Sequence, residues 1–131
     1  MDKNDGRVVT NFIKQMLNNK DITIYGSGDQ TRSFCYIDDQ VEGLIRLMNS
    51  DYNYPVNIGN PNEITIMKFA ELLRDITGST SKFVYLPLPS DDPTNRKPDI
   101  SLVKKILDWK PSVDLISGLK KTINFIENGC Y

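Results

Sequence analysis

The chain contains no histidine, only two cysteines and a single tryptophan. Without imidazole there is no Ser-His-Asp triad, no histidine acid or base and none of the commonest zinc sites, which removes most hydrolase chemistry. Cys35 and Cys130 have neither metal nor redox spacing; Cys35 lies in an apolar run and reads as core, Cys130 as tail. No run of about 18 apolar residues occurs, so no membrane span is encoded, and the polar opening MDKNDGRVV does not read as a signal peptide. A soluble protein is expected. An excess of charge is also lacking: 16 basic and 17 acidic residues leave a formal net charge of −1. No broad field invites nucleic acid or an anionic membrane, so any anion site must be local.

What is present fits one domain over residues 1–131, with a slightly lean apolar content of 39%. Val8, Val9, Phe12, Ile13, Met16 and Leu17 recur at helical spacing, and ITIY at 22–25 reads as a strand. RSFCYI at 32–37 is a second strand, after which Asp38 is placed to cap a helix that turns Val41, Leu44, Ile45 and Met48 inward. Asp39 is taken, with Asp38, as a capping residue and not as half of a catalytic carboxylate pair. PVNIG at 55–59 reads as a short buried strand, too apolar for an isolated edge, and therefore as part of a sheet whose other strands are missing. Thr65 caps a third helix that carries Ile66, Phe69, Ala70, Leu73 and Ile76 inward and stops at Gly78. KFVYLPL at 82–88 reads as an edge strand; Asp99 caps a helix from Ile100 to Asp108, and a last helix runs from Leu115 to Asn128. The class is α/β.

Between the first two strands lies Gly26-Ser27-Gly28-Asp29-Gln30-Thr31, a glycine-containing loop after a strand, as a phosphate cradle would be. Its spacing is wrong for one. Thr31 stands where the dinucleotide fingerprint needs its third glycine, and the Gly-Lys-Ser/Thr ending of a P-loop is missing. A plain hairpin connection is the expectation.

Four blocks, NDGRVVTNFIKQML, ITIYGSGDQTRSFCYIDDQVEGLIRLM, YPVNIGNPNEITIMKFAELL and DDPTNRKPDISLVKKILDWKP, follow one another in an order that resembles the C-terminal part of the extended short-chain dehydrogenase/reductase family. Within it the UDP-glucuronate decarboxylase branch is the most similar, DDPTNRKPDI being the discriminating block. The resemblance implies a substrate-binding portion whose NAD-binding Rossmann half is absent. In the complete enzyme a tightly held NAD oxidises C4 of the sugar, carbon dioxide leaves, and the ketone is reduced to give UDP-xylose. The Tyr-x-x-x-Lys pair that serves such oxidations is not in this chain: Asp29, Gln40, Val56, Ile58 and Pro89 stand four residues after the tyrosines. No catalytic residue is assigned, no cofactor is expected to bind this chain alone, and Met1 falls where family members have an internal methionine. A non-catalytic module that binds a UDP-sugar, or that pairs with a Rossmann half or a related full-length chain, and a part of an epimerase or 4,6-dehydratase are the alternatives.

A UDP-sugar presents a flat base, a ribose and a doubly charged diphosphate, and calls for an apolar slot, backbone hydrogen bonds and arginine forks. By resemblance Arg32 in QTRSF meets the diphosphate, the competing role being a surface or cross-strand arginine. Arg96 is the second diphosphate residue, on a proline-stiffened loop, or else it pairs with Asp91, Asp92 or Asp99. Asn57 offers a ligand contact or bonds to backbone. Tyr25 and the backbone at Thr23 lie by the base and ribose, Gln30 approaches the ribose or diphosphate, and Val9 lines the base slot; packing and turn roles compete for each.

Overall fold

The computed structural model describes residues 7–129; the Asn-Asp-Gly opening of the first block, the tail cysteine Cys130 and the last tyrosine lie outside them. Helix α1 (Val8–Leu17) leads into strand β1 (Ile22–Tyr25) and then β2 (Thr31–Ser33). Helix α2 (Ile37–Met48), strand β3 (Glu63–Thr65) and helix α3 (Ile66–Thr77) follow. Strand β4 (Phe83–Leu86), helix α4 (Ser101–Leu107) and helix α5 (Leu115–Glu127) complete the order. The α/β class holds.

The strands form two short pairs: β1 lies parallel to β4, from Ile22 beside Phe83 to Tyr25 beside Leu86, and β2 lies antiparallel to β3, from Thr31 beside Thr65 to Ser33 beside Glu63. The expected hairpin is therefore corrected. The Gly26 N–H continues the first ladder onto the Leu86 carbonyl, while the carbonyls of Gly28 and Gln30 accept from Met67 and Ile66 at the start of α3. The loop is thus anchored on a helix, not folded back on a strand. Both glycines sit at positive φ, and a Cβ on Gly28 would come 3.1 Å from Ile24 and Met67 side-chain atoms, so only glycine allows this approach.

The main core gathers Phe12, Ile13 and Met16 of α1, Ile22 and Ile24 of β1, Ile66, Phe69, Ala70 and Leu73 of α3, and Leu119 and Ile123 of α5. Phe34 leaves β2 to stack on Phe69 with centroids 4.3 Å apart, which ends the strand at Ser33 and not at Ile37 as its composition suggests. Thr65 caps α3 through its hydroxyl, which accepts from Lys68 N–H at 3.2 Å, and Gly78 closes the helix in the left-handed region, both as expected.

Three further expectations are corrected. PVNIG forms no strand; no strand among the described residues pairs with it, and Val56 and Ile58 pack instead on a second cluster of Ile100, Val103 and Trp109. Asp38 is not the cap of α2, whose N-cap is Tyr36. The apolar stripe of α2 does not face inward: Ile37, Val41, Leu44, Ile45 and Met48 are 43–82% exposed. The opposite side is buried because Gly43, having no side chain, lets Ile58 and Trp109 close on the helix. At α4 the shift is one residue: the N-cap is Ile100 and not Asp99, although Asp99 Oδ1 still accepts from Ser101 N–H at 2.9 Å.

Candidate functional site

The centre of β2 and the loop at 87–100 meet side by side. Arg32 reaches from β2 into this loop: Nη2 pairs with the Asp92 carboxylate, and Nη1 donates to the carbonyls of Thr31 at 2.7 Å and Pro93 at 2.8 Å. The side chain is 17% exposed, so the pair is half-screened from water. On either side of Arg32 the loop is tied to the same strand, by Thr31 N–H to the Thr94 carbonyl at 2.9 Å and by Ser33 Oγ to the Arg96 carbonyl at 3.1 Å. Asn57 Nδ2 donates to the Asp99 carbonyl at 3.2 Å, at the far end of the loop. Arg32, Arg96 and Asn57 are therefore brought to one loop. The Arg96 side chain is exposed, and it is Arg32, not Arg96, that takes the Asp92 carboxylate.

The other candidates are placed differently. Gln30 is 7% exposed and its amide donates to the Tyr25 carbonyl at 2.9 Å, which fixes the bend after β1. Tyr25 is 43% exposed at the end of that strand. Thr23 is engaged from α1, its N–H donating to Gln15 Oε1 and its hydroxyl accepting from Gln15 Nε2, both at 3.1 Å. Val9 lines a separate cleft of ≈ 410 Å³ with Phe34, Tyr36, Leu119, Lys121 and Phe125, and none of the other six candidates lines it.

The glycine loop does not fit a dinucleotide. Its carbonyls point at the α3 N–H groups that would otherwise greet a phosphate, and no tyrosine precedes a lysine at the four-residue spacing.

A family model described as "NAD dependent epimerase/dehydratase family" matches residues 1–59. Over 125 residues, 95% of this chain, the sequence is 51% identical to UDP-glucuronic acid decarboxylase 1 of Danio rerio and 50% identical to that of Xenopus tropicalis. Along almost its whole length the chain is thus similar to UDP-glucuronic acid decarboxylases. It spans about 30% of the length of those two relatives. Among solved structures, UDP-glucuronic acid 4-epimerase from Bacillus cereus, in complex with UDP-glucuronic acid and NAD, superposes with a TM-score of 0.87 at 31% identity, covering 94% of this chain and 40% of that one. UDP-glucose 4-epimerase from Thermotoga maritima, with UDP-glucose, superposes with a TM-score of 0.90, also at 31% identity, over 95% of this chain and 40% of that one.

One residue was misread from sequence. Asp39, taken for a capping group, is 6% exposed and accepts from Ser112 N–H at 3.0 Å, Ser112 Oγ at 2.8 Å and Val113 N–H at 2.8 Å. Its backbone carbonyl accepts from Trp109 Nε1 at 3.0 Å. Burial works to raise the Asp39 pKa, but the Val113 and Ser112 hydrogen bonds and the charge of Lys121 outweigh it and hold the carboxyl below its ordinary value. Nearby, burial first and the Asp39 charge second raise the Cys35 thiol, which therefore stays protonated and behaves as core.

Proposed function

We propose that this chain is the substrate-binding, C-terminal portion of a UDP-glucuronate decarboxylase, with Arg32 and Arg96 receiving the diphosphate and no turnover by the chain alone. The observation that carries the reading is the 51% identity to a UDP-glucuronic acid decarboxylase along 95% of the chain. The geometry supports it, because QTRSF and DDPTNRKPDI, far apart in sequence, lie against each other in the fold. In the complete enzyme NAD would oxidise and re-reduce the sugar; the residues here would bind and orient the nucleotide. The guanidinium fork suits that task, since it never deprotonates and spans two phosphate oxygens.

The test is a calorimetric titration of UDP into the purified chain and its Arg32→Ala variant. A roughly tenfold weaker affinity for the variant is expected, the cost of one charge-assisted contact. Equal affinities would remove Arg32 from the site. An assay with UDP-glucuronate and NAD should show no product from the chain alone, and product formation would overturn the portion reading.

The bare stripe on α2 supports incompleteness. Five large apolar side chains on one helix face form the kind of surface that another part of a protein covers. In isolation, the chain is expected to associate through this face, its sedimentation mass rising with concentration. Substituting Ile45→Glu and Met48→Lys together should return it to monomer while changing stability by less than about 0.5 kcal/mol per site, as surface changes do. A monomeric wild-type mass at every concentration would sink this expectation.

A further inference from the structure

On the proposed reading of Arg32 as the diphosphate residue, its anion seat is already filled by the protein. The Asp92 carboxylate occupies Nη2, and the two carbonyls on Nη1 include that of Pro93, the next residue of the same loop. Carboxylate and loop backbone therefore engage the guanidinium together. Between two fixed ends the loop is a strap held to β2 by polar contacts, those of Arg32 and the bonds from Thr31 to Thr94 and from Ser33 to Arg96. One end follows β4 and is fixed where the Gly26 N–H bonds the Leu86 carbonyl; the other is fixed at Asp99, which receives Ser101 N–H and holds Asn57. Between these ends Asp91 and residues 93–97 are exposed, and no residue of 89–97 belongs to either apolar cluster. Lifting the strap breaks polar contacts that water replaces and opens no core.

We propose that Asp92 is an internal competitor for the anion site: its carboxylate latches the strap onto Arg32, and only an anion that binds the arginine more strongly, such as a diphosphate, displaces it. The singly charged Asp92 carboxylate meets the fork through one oxygen, Oδ1 on Nη2. A diphosphate brings more charge and more acceptors to the same fork, and the exposed Arg96 side chain on the same strap joins it once the Thr94 and Arg96 carbonyls also leave β2. Asp92 thus sets both the affinity of the seat and its preference for strongly charged groups.

Titrations of UDP and of inorganic pyrophosphate into the wild-type chain, Asp92→Asn, Arg32→Ala and the double variant test this. Asn keeps the shape of Asp92 and removes its charge. Asp92→Asn should bind both ligands about three- to fivefold more tightly, the strength of a half-exposed ion pair no longer in competition. The double variant should match Arg32→Ala, because the latch acts through the arginine alone. Tightening for pyrophosphate as well as UDP assigns the effect to the anion seat and not to the base. If Asp92→Asn binds no better than wild type while Arg32→Ala still weakens binding, the seat stands and the latch is overturned. If neither variant alters UDP binding, or no chain binds either ligand, the seat and the latch fall together.

Discussion

Asp39→Ala should lower the stability of the chain by about 2–4 kcal/mol, the cost of leaving buried or half-buried donors without their acceptor. The carboxylate holds three donors from residues 112 and 113 and lies on the inner side of α2 next to Trp109. Truncation leaves the Ser112 and Val113 N–H groups facing a gap and frees the segment that leads into α5. In thermal denaturation this amounts to a drop of roughly 8–15 °C for a domain of this size. The acid behaviour follows from the direction of the shift. Because the folded pKa of Asp39 lies below its unfolded value, its contribution is present above the ordinary carboxylate range near pH 4 and is lost as pH falls through the lower folded value. Wild type and Asp39→Asn should therefore melt furthest apart near neutral pH and converge on acidification. A gap that stays constant down to the acid limit would show that packing, and not the charge, ties Asp39 to residues 112 and 113.

Gly43→Ala is expected to destabilise the chain by about 1–2 kcal/mol, although Ala favours a helix interior over Gly by close to 1 kcal/mol. The sign is decided by space. A Cβ at Gly43 would come 2.6 Å from Ile58 Cγ2 and 3.2 Å from Trp109 ring atoms. Trp109 is 2% exposed and held by its indole bond to the Asp39 carbonyl, so it has little room to withdraw; Ile58 lies outside any strand and yields more easily. Relief by Ile58 is why the cost stays below that of a full overpacked core. Equilibrium urea unfolding measures it, and a midpoint above that of wild type would show that Ile58 moves freely and the joint is loose.

Local signals were legible wherever they were complete within one element. Thr65 and Gly78 bracket α3 as their chemistry dictates, and the periodicity of residues 8–17 and 115–127 places two helices on the correct faces. Misreadings arose where partners are distant in sequence. The pairing of β1 with β4 depends on a segment some sixty residues away, so a glycine turn between two apolar runs looked like a hairpin. The stripe on α2 was read as inward because apolar residues at helical spacing normally are, yet in this chain the helix faces Trp109 with Asp39 and Gly43. A signal existed for that: a glycine in a helix interior is costly and marks a close approach. Of the candidate site, the association of Arg32 with the 91–99 loop was in reach, since both Arg32 and the acidic pair Asp91-Asp92 are conspicuous, but the choice of Arg32 over Arg96 as the partner of Asp92 depends on the register of β2 against the loop.

The two strand pairs carry a kinetic consequence. Ile22 finds Phe83 and Thr31 finds Thr65, so neither ladder closes from residues near one another along the chain. Loop closure must be completed before these contacts reward it, which slows β pairing relative to helix formation. During synthesis, β1 emerges long before its partner, and its edge waits until residues 83–86 have been made. The order of assembly is thereby set by where β4 stands in the chain.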